Sequence, residues 1–190
     1  MMAVAATLFG LSGLLSGTAA GGPLYNVPVY EPETGNYFEL RKVEPGYSSR
    51  GRGVPAIGWN KARTLARKST YRGAKGRLAV VKRRTVNDFL RRTFEPVTGA
   101  WIGLRYWCEL NKLQWVTGEI HELSGYANWG SVWRHDGASL DGGPKVPTCG
   151  RKTPFWPVHY WSVDKGFRWN ANGNRKEMRA FFIEYPTGER

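Results

Sequence analysis

The chain has 190 residues, 41% of them hydrophobic and 14% aromatic with nine Trp, and a formal net charge of +13 with a pI of about 10. That length supports one sizeable core, and the aromatic share excludes a disordered polyelectrolyte in favour of a packed, loop-rich β or α+β domain. The charge informs partners and solubility, not fold. It is unevenly placed: sixteen Lys and Arg lie between Arg41 and Arg92 against only Glu44 and Asp88, so this third of the chain carries the whole basic surplus.

Residues 1–22 are apolar, small and uncharged. They read as a signal peptide, with Thr18-Ala19-Ala20 as the cleavage site, although no Lys or Arg precedes the apolar run. The alternative is an uncleaved membrane anchor, since about 18–20 apolar residues suffice to span. A buried core helix is disfavoured by the glycines. The expectation is therefore export to a secreted, periplasmic or cell-surface location.

Pro23, Pro28 and Pro32 make residues 23–35 an extended Pro-rich linker. Residues 36–43 alternate as a strand, with Phe38 and Leu40 on one face and Tyr37, Glu39 and Arg41 on the other. A loop over 44–56 carries the basic tip Arg50-Gly51-Arg52-Gly53. Trp59, Ala62, Leu65 and Ala66 share one face of a helix, and Lys61, Arg63, Arg67 and Lys68 fall outside that stripe. Residues 71–76 break the helix, and 77–82 read as a short strand. Thr85-Val86-Asn87-Asp88 matches a capping box opening a second helix. Its buried stripe is Val86, Phe89, Leu90 and Phe94, and Arg91 and Arg92 sit near its end, where the helix dipole favours cations.

Two aromatic, β-branched strands follow, Trp101-Ile102-Gly103-Leu104 and Gln114-Trp115-Val116-Thr117. A loop of about ten residues separates them, too long for a tight hairpin. The turn Thr117-Gly118-Glu119 leads to Tyr126-Ala127-Asn128-Trp129. Residues 130–157 show neither strand nor helix period and read as a long irregular loop.

In order, these motifs resemble the C-type lectin-like domain family over residues 36 to 185. Trp59, Ala62 and Ala66 fall on the family's first-helix pattern, and Gly76-Arg77-Leu78-Ala79-Val80-Val81 is similar to its G-x-x-L-A-x-I segment. Val86-Asn87-Asp88-Phe89 resembles E-N-x-F. WIGL is intact at Trp101-Ile102-Gly103-Leu104, Tyr126 and Trp129 resemble Y-x-x-W, and Trp169-Asn170-Ala171 resembles W-N-D. Phe181-Phe182-Ile183-Glu184-Tyr185 resembles the closing F-I-C-E-Y strand. The resemblance implies an α+β fold: two helices flanking small antiparallel sheets with a long irregular loop, in a domain spanning 36–190.

The departures bear on function. The family's helix-to-last-strand disulfide falls on Ala66 and Ile183, both apolar, which implies a hydrophobic contact in its place. Its second bridge falls near Tyr160 and Asn174. Cys108 and Cys149 stand elsewhere, and are either bridged to each other or two buried free thiols. Calcium-binding members place a carboxylate-rich triplet in the long loop. The nearest triplet here is Gly143-Pro144-Lys145, and Ala171 stands where the Asp would be. Calcium wants six to eight oxygen ligands, and only Asn170 survives, so no metal or cofactor is expected. Asp136 and Asp141 would serve only in another arrangement.

The candidate ligand-binding residues are Trp133, Trp156, Phe155, Lys145 and Asn170. Exposed Trp stacks on sugars or anchors a protein contact, although Trp133 and Trp156 read equally well as packing the loop onto the domain. Trp129, Tyr160 and Trp161 read as packing. Arg63, Arg67, Lys68, Lys82, Arg83, Arg84, Arg91 and Arg92 form a candidate basic patch for an anionic surface or polyanion, against the reading of an ordinary solvated face. Nucleic acid fits poorly, because no recognised nucleic-acid-binding pattern accompanies the charge. Nothing points to an enzyme. His121, His135 and His159 match no zinc spacing, and no nucleophile motif is present; Glu119 and Glu122 read as solvated acids of a turn. The expected function is a non-catalytic, exported, calcium-independent module recognising a glycan or protein. The alternative is a membrane-anchored structural subunit of a larger protein assembly.

Overall fold

The computed structural model describes residues 22–47, 53–122, 124–130 and 149–188. The signal or anchor segment over 1–21, the basic tip at Arg50 and Arg52, and residues 131–148 of the long loop lie outside them.

The elements run β1 (Val29–Glu31), β2 (Asn36–Lys42), β3 (Ile57–Gly58), α1 (Trp59–Lys68), β4 (Thr70–Tyr71), β5 (Ala74–Lys75), β6 (Arg77–Leu78) and α2 (Arg84–Phe94). Then come β7 (Ala100–Trp107), β8 (Lys112–Trp115), β9 (Phe155–Tyr160), β10 (Trp169–Ala171), β11 (Glu177–Met178) and β12 (Ala180–Tyr185). The main sheet has the order β1-β2-β12-β7-β9-β10, with β6 also on β12 and β8 also on β7. This is the expected α+β architecture, two helices with small sheets. One pairing departs from an all-antiparallel arrangement: β12 runs parallel to β7.

The sheet has two apolar faces because its inner strands alternate two apolar sets. Phe182, Phe38 and Leu40 join Val86, Leu90 and Phe94 of α2 in one buried cluster. Phe181, Ile183 and Tyr185 join Trp59, Ala62 and Ala66 of α1 in the other. The helices therefore cover opposite faces. Ala66 and Ile183 are both fully buried in the α1 cluster. A Cβ built on Gly76 would stand 2.6 Å from the Ala66 carbonyl oxygen and 3.0 Å from Ile183 Cγ2, so Gly76 is wedged between them.

Several sequence expectations are corrected. The linker expected over 23–35 contains β1, which pairs with β2 from Val29↔Phe38 to Glu31↔Asn36. Its turn is closed by the Glu31 carboxylate, which accepts from the Thr34 amide at 2.8 Å and the Thr34 hydroxyl at 2.6 Å. The loop between WIGL and the next strand is a short hairpin turn. Alternation continues past Leu104 to Trp107, and β8 begins at Lys112, so only residues 108–111 turn the chain. Arg105 and Lys112 hid the pattern because long charged side chains can lie along apolar surface. The expected capping box is not used. The N-cap of α2 is Arg83, without a side-chain hydrogen bond, and Thr85 lies inside the helix. Of the strand expected over 77–82, only Arg77–Leu78 pairs as a ladder.

Residues 79–81 thread between β12 and β7. The Ala79 amide donates to the Phe182 carbonyl, and the Ala79 carbonyl accepts from the Gly103 amide at 2.8 Å. This backbone approach explains the glycine of WIGL: a Cβ at 103 would stand 2.6 Å from the Leu78 carbonyl oxygen.

A buried amide links α2 to the far end of the sheet. Asn87 Oδ1 accepts from the Tyr160 hydroxyl at 2.7 Å and from Asn128 Nδ2 at 3.0 Å. Asn128 also donates to the Phe167 carbonyl, and Arg168 donates to Asn128 Oδ1. Cys108 and Cys149 are bridged, with Cα atoms 5.6 Å apart. The bridge ties the β7–β8 turn to the segment entering β9.

Candidate functional site

The strands β9 and β10 put His159 and Asn170 opposite each other. His159 is fully buried, edge-on to Trp161 at 4.8 Å and to Trp101 at 5.7 Å. Its Nδ1 lies 2.9 Å from the Tyr160 carbonyl oxygen. That oxygen can only accept, so Nδ1 carries the proton and Nε2 is the acceptor. Asn172 Nδ2 meets Nε2 at 2.6 Å and Asn170 Nδ2 at 3.4 Å. Burial, with Lys176 nearby, pushes the imidazole down to about 4, so it is neutral at pH 7.

This geometry tests calcium directly. The Asn170 amide faces a neutral imidazole, and Ala171 beside it is buried and brings a methyl group. Among the described residues, no group of three His, Cys, Asp or Glu is placed to hold a metal ion. The described residues around Asn170 do not make a calcium cage. Asn170 is a wall residue, 8% exposed, with its amide turned to His159.

The placement of Phe155 in the long loop is corrected. Phe155 lies on β9, not in a loop, 6% exposed, stacked on Trp107 at 5.9 Å and tilted against Trp59 at 5.7 Å. Proline at 157 and the irregular sequence before it concealed the strand. Trp156, on the opposite face of β9, is half-buried against the α2 cluster. Trp129 stands edge-on to Trp169 at 5.4 Å, and Tyr160 is fully buried against Phe167 at 3.8 Å. Trp133 and Lys145 lie outside the described residues.

The basic residues, contiguous in sequence, divide in space. Arg63, Arg67 and Lys68 are on α1, and Arg84, Arg91 and Arg92 on α2, across the sheet. One patch is thus corrected to two. Lys82 pairs with Glu119, and Arg83 with Glu33 at 3.0 Å, both exposed. Arg84 lies over the Tyr126 ring at 5.8 Å. The hydrogen bond from Lys82, then that from Thr117, holds the Glu119 carboxyl below its ordinary range.

Between these two sets runs a cleft of about 820 Å³, lined among others by Asn36, Arg77, Lys82, Arg83, Glu119 and Glu184. At its floor the Glu184 carboxylate accepts from Arg77 Nε at 3.0 Å, Asn36 Nδ2 at 2.7 Å and the Val80 amide at 3.0 Å. A narrower groove of about 310 Å³ shares Arg77 and Val116 with it and continues to Arg63 and Arg67. Sequence reasoning passed over Arg77 and Arg105. The signal for Arg105 was its place in the alternation after WIGL, one residue before Tyr106.

Two helices on opposite faces of one sheet, a WIGL strand at its centre and a long connection before β9 define the C-type lectin-like class of fold. No protein-family model matches the sequence, and no curated protein sequence matches it. Solved structures do match. The chain is similar to the C-type carbohydrate-recognition domain of cow CD23, at 17% identity over 86% of this chain and 96% of that one, with a TM-score of 0.54. It is similar to SPL-2 of Saxidomus purpuratus, described as a Ca2+-independent C-type lectin, at 15% identity over 80% and 87%, TM-score 0.50. It is also similar to SPL-1, solved with GlcNAc, at 14% identity over 80% and 88%, TM-score 0.52. At such identities the likeness is one of fold. This chain has a C-type lectin-like fold.

Proposed function

We propose that this chain is a non-catalytic recognition domain that binds a glycan without calcium. The observation that carries the reading is the Asn170–His159–Asn172 contact. It occupies the amide that calcium-binding relatives would turn toward a cation, in a wall whose next residue is Ala171. The fold supports the substrate class: SPL-1 was solved with GlcNAc, and SPL-2 is described as Ca2+-independent. Export belongs to the same proposal, because a Cys108–Cys149 bridge is at home in an oxidising compartment. Trp133 and Lys145 are then the residues through which the long loop meets its ligand, with Trp156 beside them at the start of β9.

A glycan array probed with the full chain, with and without chelator, tests this reading. Signal that is unchanged by chelator is expected. Signal that vanishes with chelator and returns with calcium overturns the calcium-independent mode, and absence of binding to every glycan overturns the substrate class.

A further inference from the structure

We propose that the arginine-lined groove beside α1 is a glycan subsite for the sulfate or carboxylate groups of an acidic polysaccharide. The proposal deepens the glycan reading above and rests on it.

The groove is lined by Arg63, Arg67, Gly76, Arg77, Leu78 and Val116, three guanidinium groups and no carboxylate. Arg63 and Arg67 are one helical turn apart and therefore on one face. Among the described residues, neither has an ion-pair partner, whereas Arg77 shares Glu184. Arg105 is not in the groove lining but lies near Arg63, against the same Trp59 ring. Its guanidinium lies 5.5 Å from the centre of the Trp59 ring, and that of Arg63 lies 5.9 Å from the same ring. Arg105 also stacks on Trp107 at 4.1 Å, and its Nε is buried without a hydrogen-bond partner. Burial first, and the like charge of Arg63 second, hold the Arg105 guanidinium below its ordinary range. Clustered like charges raise the free energy of the empty groove, and a bound anion relieves that repulsion. The planar fork of arginine matches the paired oxygens of sulfate, carboxylate or phosphate.

The adjoining cleft explains why the anion should be carried on a polysaccharide. There every cation already has an acid: Arg77 with Glu184, Lys82 with Glu119, Arg83 with Glu33. Thr34, Asn36 and Thr117 stand among them. Such a surface is nearly neutral and rich in donors and acceptors, suited to hydroxyl groups. An uncompensated cationic groove leading into a neutral, hydrogen-bonding cleft matches a chain of hydroxylated rings bearing spaced anionic groups. Among the described residues no aromatic side chain lines either space, whereas single-stranded nucleic acid is gripped by aromatic platforms on which bases stack.

The test uses the full chain with three probes: heparin, a neutral chitooligosaccharide and a single-stranded oligodeoxynucleotide. In the doubly substituted Arg63→Gln/Arg67→Gln chain, heparin affinity is expected to fall about tenfold or more, and the slope of log affinity against log salt to lose about two contacts' worth. Arg63→Lys/Arg67→Lys keeps the charge and loses the fork, so an intermediate loss is expected. Arg91→Gln/Arg92→Gln, equal in charge change but on α2, should leave heparin binding within about twofold. Equal losses from the α1 and α2 pairs overturn the proposal, since net charge alone then explains binding. Oligonucleotide binding as tight as heparin with the same Arg63 and Arg67 dependence overturns it in favour of nucleic acid. Binding of the neutral oligosaccharide without heparin overturns the subsite alone, and binding of neither overturns the glycan reading with it.

Discussion

The indole Nε1–H of Trp59, the first residue of α1, donates to the carbonyl oxygen of Ile102 in the middle of β7 at 2.7 Å. One residue earlier on the same strand, the Trp101 indole donates in the other direction, to the Ile57 carbonyl in β3, at 2.8 Å. These crossed bonds fix where α1 begins and how it lies on the sheet, and both indoles are almost wholly buried. Gly58, the N-cap of α1, has no side chain to satisfy the helix start, so the position of the helix depends on its first buried ring.

Trp59→Phe keeps most of the apolar volume and leaves the Ile102 carbonyl without its donor. The expected cost is about 1–3 kcal/mol, the penalty of one orphaned buried acceptor with some lost packing. A urea titration reads it as a lower midpoint with an unchanged slope. An unchanged midpoint would mean that the bond contributes nothing net.

Glu184 is 3% exposed and receives hydrogen bonds from Arg77, Asn36 and Val80. Glu184→Gln removes the charge while keeping the shape, leaving Arg77 without its carboxylate and placing an amide where only acceptors are wanted. A loss on the order of 3 kcal/mol is expected, as for breaking a buried pair from one side. Glu119→Gln disturbs only an exposed pair, and should cost less than about 1 kcal/mol. Thermal melts of the two variants side by side measure the difference.

The Cys108–Cys149 bridge closes a separation of 41 residues. Chain entropy gives such a crosslink a stabilisation of about 3–4 kcal/mol. Dithiothreitol is expected to lower the denaturant midpoint of the native chain and to leave the Cys108→Ser/Cys149→Ser chain unmoved. Equal midpoints for the oxidised native chain and the double variant would show the crosslink to be energetically idle.

His159 makes stability depend on pH. The imidazole is held down to about 4 in the folded chain, against an ordinary value of 6.5. Between those values the unfolded chain binds a proton that the folded chain refuses, so stability is full above pH 6.5 and falls as the pH drops toward 4. The fall attributable to this group is on the order of 3 kcal/mol. In His159→Gln, unfolding free energy measured from pH 7 to pH 4 should lose that part of its slope. An identical slope in both chains would remove His159 as the cause.

Much of the architecture was legible in local pattern. The helix stripes at Trp59, Ala62 and Ala66 and at Val86, Leu90 and Phe94 are the faces that pack on the sheet. WIGL stands at the centre of that sheet because its alternation buries both faces, and its glycine admits the backbone of residues 78–79. The absent half-cystines at Ala66 and Ile183 were readable as an apolar pair, because burial follows residue type. Strand β1 escaped notice because three residues are too short to show a period, and β9 because Pro157 interrupts its run.

The sequence by itself determined that the chain builds two amphipathic helices around aromatic strands and carries its surplus of positive charge in one stretch of its length. Only the tertiary structure decided what those residues face. Helices adjacent in sequence dock on opposite sides of a sheet, so one run of Lys and Arg becomes two surfaces. Arg77 is drawn down to Glu184 while Arg63 and Arg67, on the helix beside it, have no such partner. Side-chain period reports burial and secondary structure, which are local. Which charge meets which acid depends on strand order and crossing, and those are settled only when distant segments pack.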